Sequence, residues 1–248
     1  MKFSKLLAVL IIVILAIVAL VAYSYFNQNN GSPNLTFDFP SSSGKASEQT
    51  TLTLNITNHG FEAKGVVVHL ASEAFDHASS NPTDILSNQS ASVSFELTVN
   101  DVPNGDYGVT ITYEYRGISE VKNGNSESFY VIPSVQIVDE HWSGLGIFEE
   151  SKIKQNDNTI FYFKIKNDLT STYTGLTATV KLPPNTLYLT ITPPTVVLDS
   201  LGPTGTSREY TFTFASNGTP PGTYDFEVQI ISGQYEAFKD TFTIWVEQ

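Results

Sequence analysis

The stretch Thr51-Leu52-Thr53-Leu54-Asn55-Ile56-Thr57-Asn58 alternates strictly, with Leu52, Leu54 and Ile56 on one face of an extended chain and Thr53, Asn55 and Thr57 on the other. Successive side chains of a strand point to opposite faces, so this pattern describes a half-buried strand with one wet side. It returns about 110 residues later. Phe161, Phe163 and Ile165 alternate there with Tyr162, Lys164 and Lys166, and the run again closes on an asparagine, Asn167. Self-similarity at a fixed spacing is the mark of an internal repeat.

Working outward, the repeat holds. Val93, Phe95, Leu97 and Val99 alternate within Ser92 to Val99, and Tyr210, Phe212 and Phe214 answer them 117 positions on. Pro103-Asn104-Gly105-Asp106-Tyr107 opens a further strand that buries Val109, Ile111 and Tyr113. Pro221-Gly222-Thr223-Tyr224 opens its counterpart with Phe226, Val228 and Ile230. Period-two runs of this length, punctuated by Gly, Pro, Asn and Ser, predict an all-β chain built as antiparallel sandwiches. The expected fold is two tandem immunoglobulin-like β-sandwiches preceded by one transmembrane helix. Phe129-Tyr130-Val131-Ile132 ends the first copy and Val135 to Val138 begins the second, which puts the boundary at Pro133. The predicted organisation is a transmembrane helix over 1–26, a flexible linker over 27–33, and sandwiches over 34–133 and 134–248. In both copies the Gly-x-Tyr element, with Tyr107 and Tyr224, stands where such folds place a tyrosine corner, whose hydroxyl is expected to cap a backbone carbonyl across the sandwich.

From Leu6 to Ala22 every residue is Leu, Ile, Val or Ala. As a helix this run spans ~26 Å, and ~31 Å with Tyr23 to Phe26, which matches a bilayer core of ~30 Å. Lys2 and Lys5 precede it and the next basic residue is Lys45, so the positive-inside rule predicts a single-pass anchor with the N-terminus in the cytoplasm and everything after Phe26 outside. Cleavage as a signal peptide, with small residues at Ala22 and Ser24, is the competing reading, and it exports the remainder equally.

Charge narrows the partners. The 248 residues carry a net −12; with Lys2 and Lys5 set aside, 11 basic residues face 25 acidic ones, or −14. Such a surface repels phosphate backbones and excludes nucleic-acid binding. The absence of cysteine excludes disulfides, thiolate metal sites and a cysteine nucleophile. The 25 Ser, 27 Thr and 17 Asn, with few charges, point to an archaeal-type cell exterior. Sequons at Asn30, Asn34, Asn55, Asn88 and Asn217 lie in linkers, turns or an outer strand face, accessible for glycosylation.

No catalytic constellation is predicted. The four histidines, His59, His69, His77 and His141, form no His-x-x-x-His or Glu-x-x-His pair, so neither a metal nor a cofactor is expected. Asp76-His77 with Ser79 and Ser80 lacks any nucleophile elbow. Acidic groups at Asp139-Glu140, Glu149-Glu150 and Asn156-Asp157-Asn158 carry no calcium-loop pattern and read as solubilising charge. Trp142 and Trp245 are the only tryptophans. Phe242, Ile244 and Val246 share one strand face, which turns Trp245 to the other side; Trp142 and Trp245 are candidate contact surfaces for a sugar or a protein, unless Trp245 is covered by the neighbouring loop or packed near Trp142.

A strand ending in Asn (Asn58, Asn167), a valine-rich strand and a late Gly-x-Tyr together resemble the CARDB group of cell-adhesion-related, immunoglobulin-like surface domains. Val180-Lys181-Leu182-Pro183-Pro184 and Leu198-Asp199-Ser200-Leu201-Gly202-Pro203 in the second copy are similar to a related group appended to secreted glycosidases; the first copy lacks the Leu-Pro-Pro step. The resemblance implies spacers or binding modules and supplies no catalytic residue. The expected function is therefore a non-enzymatic, membrane-anchored surface protein that binds another envelope protein or a glycan. The alternative is an accessory structural subunit of a larger membrane complex or surface filament.

Overall fold

The computed structural model describes residues 33–116, 118–122, 127–143, 151–184, 186 and 188–248. Every regular element among them is a strand. The apolar run predicted to anchor the chain, and Asn30 with it, lies outside the described residues. Among those described, no helix is long and apolar enough to cross a membrane.

The strands pair in two closed sets. The N-terminal half holds β1 (Leu35–Asp38), β2 (Ser42–Lys45), β3 (Gln49–Asn58), β4 (Ala63–Ser72), β5 (Phe75–Ser79), β6 (Thr83–Ile85), β7 (Gln89–Thr98), β8 (Gly105–Gly108), β9 (Thr110–Tyr115), β10 (Ile118–Lys122) and β11 (Ser128–Ile132). The C-terminal half holds β12 (Val135–Ser143), β13 (Lys152–Lys154), β14 (Asn158–Asn167), β15 (Leu176–Lys181), β16 (Leu189–Thr192), β17 (Thr195–Val197), β18 (Tyr210–Ser216), β19 (Gly222–Ser232) and β20 (Tyr235–Glu247). The first half forms sheets β1-β3-β7, β10-β9-β4-β5 with β6 also on β4, and β2-β11-β8; the second forms β12-β14-β18-β16 and β13-β20-β19-β15-β17.

One plan underlies both. In each half the entering chain first pairs antiparallel with the long alternating strand, β1 on β3 and β12 on β14. It then crosses to the opposite layer and runs parallel to the last strand, β2 beside β11 and β13 beside β20. The alternating residues behave as their pattern demands. Leu52, Leu54 and Ile56 of β3 pair with Phe95, Val93 and Ala91 of β7, and Val66, Val68 and Leu70 of β4 and Ile111 of β9 are buried to complete that core. In the second half the layers meet ring against ring: Phe161 of β14 and Phe214 of β18 lie 5.5 and 4.7 Å from Phe226 of β19.

The halves part in the middle. In the first, β4 turns at Glu73-Ala74 straight into β5, and β6 returns to the same strand. In the second, β15 stops at Lys181 before Leu182-Pro183-Pro184. Proline has no N–H to give a ladder, and the chain leaves for the opposite layer, where β16 pairs with β18, before β17 comes back to β15.

Asn58 and Asn167 close their strands for the same physical reason. Both are completely buried. Asn58 Nδ2 donates to the carbonyls of Phe61 (2.6 Å) and Ile85 (3.1 Å), and its Oδ1 accepts from Gly60 N (2.9 Å). Asn167 Nδ2 donates to Ser171 O (2.7 Å) and Gly202 O (3.0 Å), and its Oδ1 accepts from Leu169 N (2.9 Å). One side chain thus satisfies three backbone groups, most of them partly buried, and ties two loops to the strand end.

Candidate functional site

The histidines are the first place to look for chemistry. β4 and β5 bring His69 and Ser79 opposite each other, so that His69 Nδ1 lies 2.7 Å from Ser79 Oγ and His69 Nε2 3.8 Å from Glu114 Oε1. His77 stands beside them, its ring 5.5 Å from that of His69. The triple resembles a nucleophilic relay in composition only. The His69–Glu114 separation exceeds hydrogen-bonding distance. The N–H after Ser79, that of Ser80, is engaged with Val68 O at 2.8 Å. His59 contacts Thr36 Oγ1 at 3.1 Å, and His141 stacks on Tyr162 at 4.8 Å. Among the described residues no three His, Asp or Glu side chains are grouped to hold a metal ion. Asp139 pairs with Lys164 at 3.0 Å, and Asp157 accepts from Asn158 N; Glu149 and Glu150 lie outside the described residues.

The two tryptophans have different surroundings. Trp142 is half-buried, with its ring 5.0 Å from Phe161, 5.3 Å from Phe214 and 5.7 Å from Phe226. Trp245 is 49% exposed on the outer face of β20, with Lys152 Nζ of β13 5.2 Å from its ring centre. Register extends this face: Thr223 lies opposite Trp245, Asp225 opposite Thr243, and Glu227 opposite Thr241. Thr243 Oγ1 donates to Asp225 Oδ1 at 2.7 Å. Asp225, Glu227 and Thr241 also line a cleft of about 360 Å³ walled by Lys181 and the Leu182-Pro183-Pro184 step. An exposed ring, carboxylates, hydroxyls and a lysine therefore share one surface, suited to a polar ligand with an apolar face.

The halves are clasped to each other. The Asp101 carboxylate accepts from Thr170 N (2.7 Å), Thr170 Oγ1 (2.6 Å) and Ser171 N (3.2 Å). Asn104 accepts from Thr174 N (2.9 Å) and donates to Thr174 O and Ser232 Oγ, both at 2.8 Å. Tyr130 reaches Ser232 Oγ at 2.8 Å and stacks on Tyr235 at 4.4 Å. Gly233, at φ +60°, lies beneath the Tyr130 hydroxyl, which a Cβ would meet at 3.2 Å. Burial raises the Asp101 pKa, but the bonds from Thr170 and Ser171 outweigh it and hold the carboxyl below its usual range. At the same junction burial pushes the Tyr173 phenol up to about 12, and the Asp101 charge acts in the same direction. None of these junction residues has a signature in periodicity. The one sequence signal is the mismatch between copies: Gly218 and Pro221 stand 117 residues after Asp101 and Asn104.

Tyr107 and Tyr224 donate to Pro103 O (2.8 Å) and Pro220 O (2.7 Å), each four residues upstream. Both hydroxyls cap a backbone carbonyl as expected of a tyrosine corner, but that carbonyl lies in the turn before the strand and not across the sandwich. Asn34, Asn55, Asn88 and Asn217 are all exposed, and Asn55 Oδ1 accepts from Ser92 Oγ at 2.7 Å.

No family model and no curated protein matches the sequence. Among solved structures, red sea bream transglutaminase is similar at a TM-score of 0.36 and 11% identity; the match covers 87% of this chain and 31% of that one, so this chain spans about a third of its length. A protein of unknown function from Porphyromonas gingivalis W83 is similar at a TM-score of 0.28 and 10% identity, covering 86% and 99% of the two chains. With scores below 0.5, neither bears on fold or activity.

Proposed function

We propose that the chain is a non-enzymatic, membrane-anchored surface protein whose two immunoglobulin-like sandwiches stand outside the membrane and bind another envelope protein or a glycan. The binding face is the outer side of β19 and β20. The observation that carries this reading is Trp245, half exposed beneath the Lys152 ammonium on a sheet face of threonines and carboxylates. Large aromatic rings left in water are costly unless covered by a partner, and they anchor many contact surfaces. The apolar run over 6–22 supports the anchor, and the likeness to CARDB-type domains runs the same way.

The test is to tag the chain after Gln248, extract it from native membranes in mild detergent, and compare its companions with those of Trp245→Ala. A bound protein or glycan that the wild type retains and the folded variant loses is the expected result. Equal retention removes the assigned face. Protection of both halves from protease added outside right-side-out vesicles overturns the topology. A fixed accessory subunit is the second reading, favoured by the clasp at Asp101 and Asn104, which holds the halves at one angle. Companions in stoichiometric amount that survive Trp245→Ala would establish it.

A further inference from the structure

The two halves present corresponding ends very differently. In the C-terminal half the loop after Asn167 offers Thr170 and Ser171, whose N–H groups are taken up by Asp101. In the N-terminal half the loop after Asn58 offers Phe61, and the neighbouring loop offers Leu86. They are 43% and 48% exposed. Asn58 draws the two together, since its Nδ2 bonds both Phe61 O and the carbonyl of Ile85, the residue before Leu86. The result is an apolar tip at the pole of the molecule where the chain enters: His59 N donates to Asn34 O at 2.8 Å, and Leu35 pairs with Asn58.

We infer that this tip, Phe61 with Leu86, rests in the headgroup–acyl boundary of the membrane that the N-terminal run spans. The inference rests on the anchor reading given above. Three observations converge on it. Phe26, the end of the run, precedes Asn34 by eight residues, which reach at most ~29 Å when fully extended. The entry pole is therefore held within that reach of the bilayer surface. The charges around the tip balance, Glu62 and Asp84 against Lys64 and Arg116, whereas the chain as a whole carries −12. Glu62 and Lys64 are themselves paired at 3.6 Å, so the pole does not share the net negative charge that would repel anionic headgroups. A second copy of the chain is a poor occupant. The clasp that covers the corresponding end of the C-terminal half needs Asp101 and Asn104, and the loop that would have to supply them to this tip carries Gly218 and Pro221. An uncharged pair of large apolar side chains is the chemistry an interfacial lipid zone accepts.

The chain lacks cysteine, so single labels are clean. Full-length Ser87→Cys, carrying an environment-sensitive fluorophore on the exposed neighbour of Leu86, is reconstituted into phosphatidylcholine vesicles with a nitroxide quencher on the upper acyl chain. Val197→Cys, on the far half, is the control. The expected result is a blue shift and loss of emission at residue 87, none at 197, and recovery of emission at residue 87 when Phe61→Ser and Leu86→Ser are added. A chain that co-floats with vesicles but shows no quenching at residue 87 overturns the tip contact and leaves the anchor standing. Quenching that survives the double serine variant overturns the role of these two side chains. A chain that does not co-float overturns the anchor, and the tip contact with it.

Discussion

The two halves share a plan and almost nothing of their filling. The N-terminal core is aliphatic at its centre, with Leu52, Leu54, Ile56, Val66, Val68 and Leu70, whereas the C-terminal core adds to its aliphatic residues a cluster of phenylalanines against Trp142. One exchange shows how this is tolerated. Gly44 lies opposite Val131 in the first half, where Ile153 lies opposite Val246 in the second. A Cβ on Gly44 would stand 2.6 Å from Val99 Cγ2 and 2.9 Å from Phe129 Cζ. Val99 and Phe129, the latter packed edge-on against Phe75 at 5.3 Å, fill the space that a side chain on Gly44 would need. A side chain absent from one strand is thus made up by neighbours on other strands, as a close-packed interior requires. Backbone plan is thus set by alternation and by the buried asparagines, and the individuality of each half sits at its ends.

That comparison breaks first at the asparagines if it is wrong. Asn58→Ala and Asn167→Ala each strand three backbone groups that are buried or partly buried, and each is expected to lower the stability of its own half by about 2–3 kcal/mol. Both tryptophans lie in the C-terminal half. Urea titration followed by fluorescence should therefore shift for Asn167→Ala, and only the circular dichroism transition should shift for Asn58→Ala; coincident shifts would mean the halves do not unfold separately. Next, Gly44→Ile is expected to cost about 2 kcal/mol by overpacking, and Gly44→Ile with Phe129→Ile should recover much of it by restoring the C-terminal arrangement. Failure of the pair to recover would refute the volume exchange.

The clasp comes third. Asp101→Ala removes charge-assisted bonds at a partly exposed site, worth about 1.5 kcal/mol, and should enlarge the radius of gyration in solution scattering without changing circular dichroism. Because the folded carboxyl is held below its ordinary value of 3.8, its contribution is present above that value and fades as pH falls through the lowered one. Scattering at neutral pH and in strong acid should therefore differ for the wild type and not for Asp101→Ala. Smallest are Tyr107→Phe and Tyr224→Phe, where a local, partly exposed bond is lost, at about 0.5–1 kcal/mol each. Equal losses by thermal melts would show that the repeat extends to its turns.

Which parts were legible in the sequence follows from how far apart the interacting residues are. Strand faces were legible, because alternation is local: Leu52, Leu54 and Ile56, or Phe226, Val228 and Ile230, are buried as their spacing requires. The outward turn of Trp245 followed from Phe242, Ile244 and Val246 on the same grounds. Its neighbour Lys152 did not, since it arrives on a parallel strand with no turn to mark the pairing. Asn58 and Asn167 were visible as strand ends but not as clasps, because their partners are backbone carbonyls and amides that any residue supplies. Ser79, His69 and Glu114 belong to three strands, and Asp101 and Thr170 to different halves; neither constellation leaves a local trace. The layer change after β15 follows Pro183-Pro184, a step visible in the sequence only as a difference between the copies, and the first half, which lacks it, sends its middle strands another way.

The parallel pairing of entering and leaving strands has a mechanical meaning. In each half β2 lies beside β11, and β13 beside β20, pointing the same way. A force applied between the two ends of either half would drag those strand pairs past each other lengthwise. Their hydrogen bonds bear load together in shear and cannot peel one at a time, so each half resists tension as a latch across its own termini.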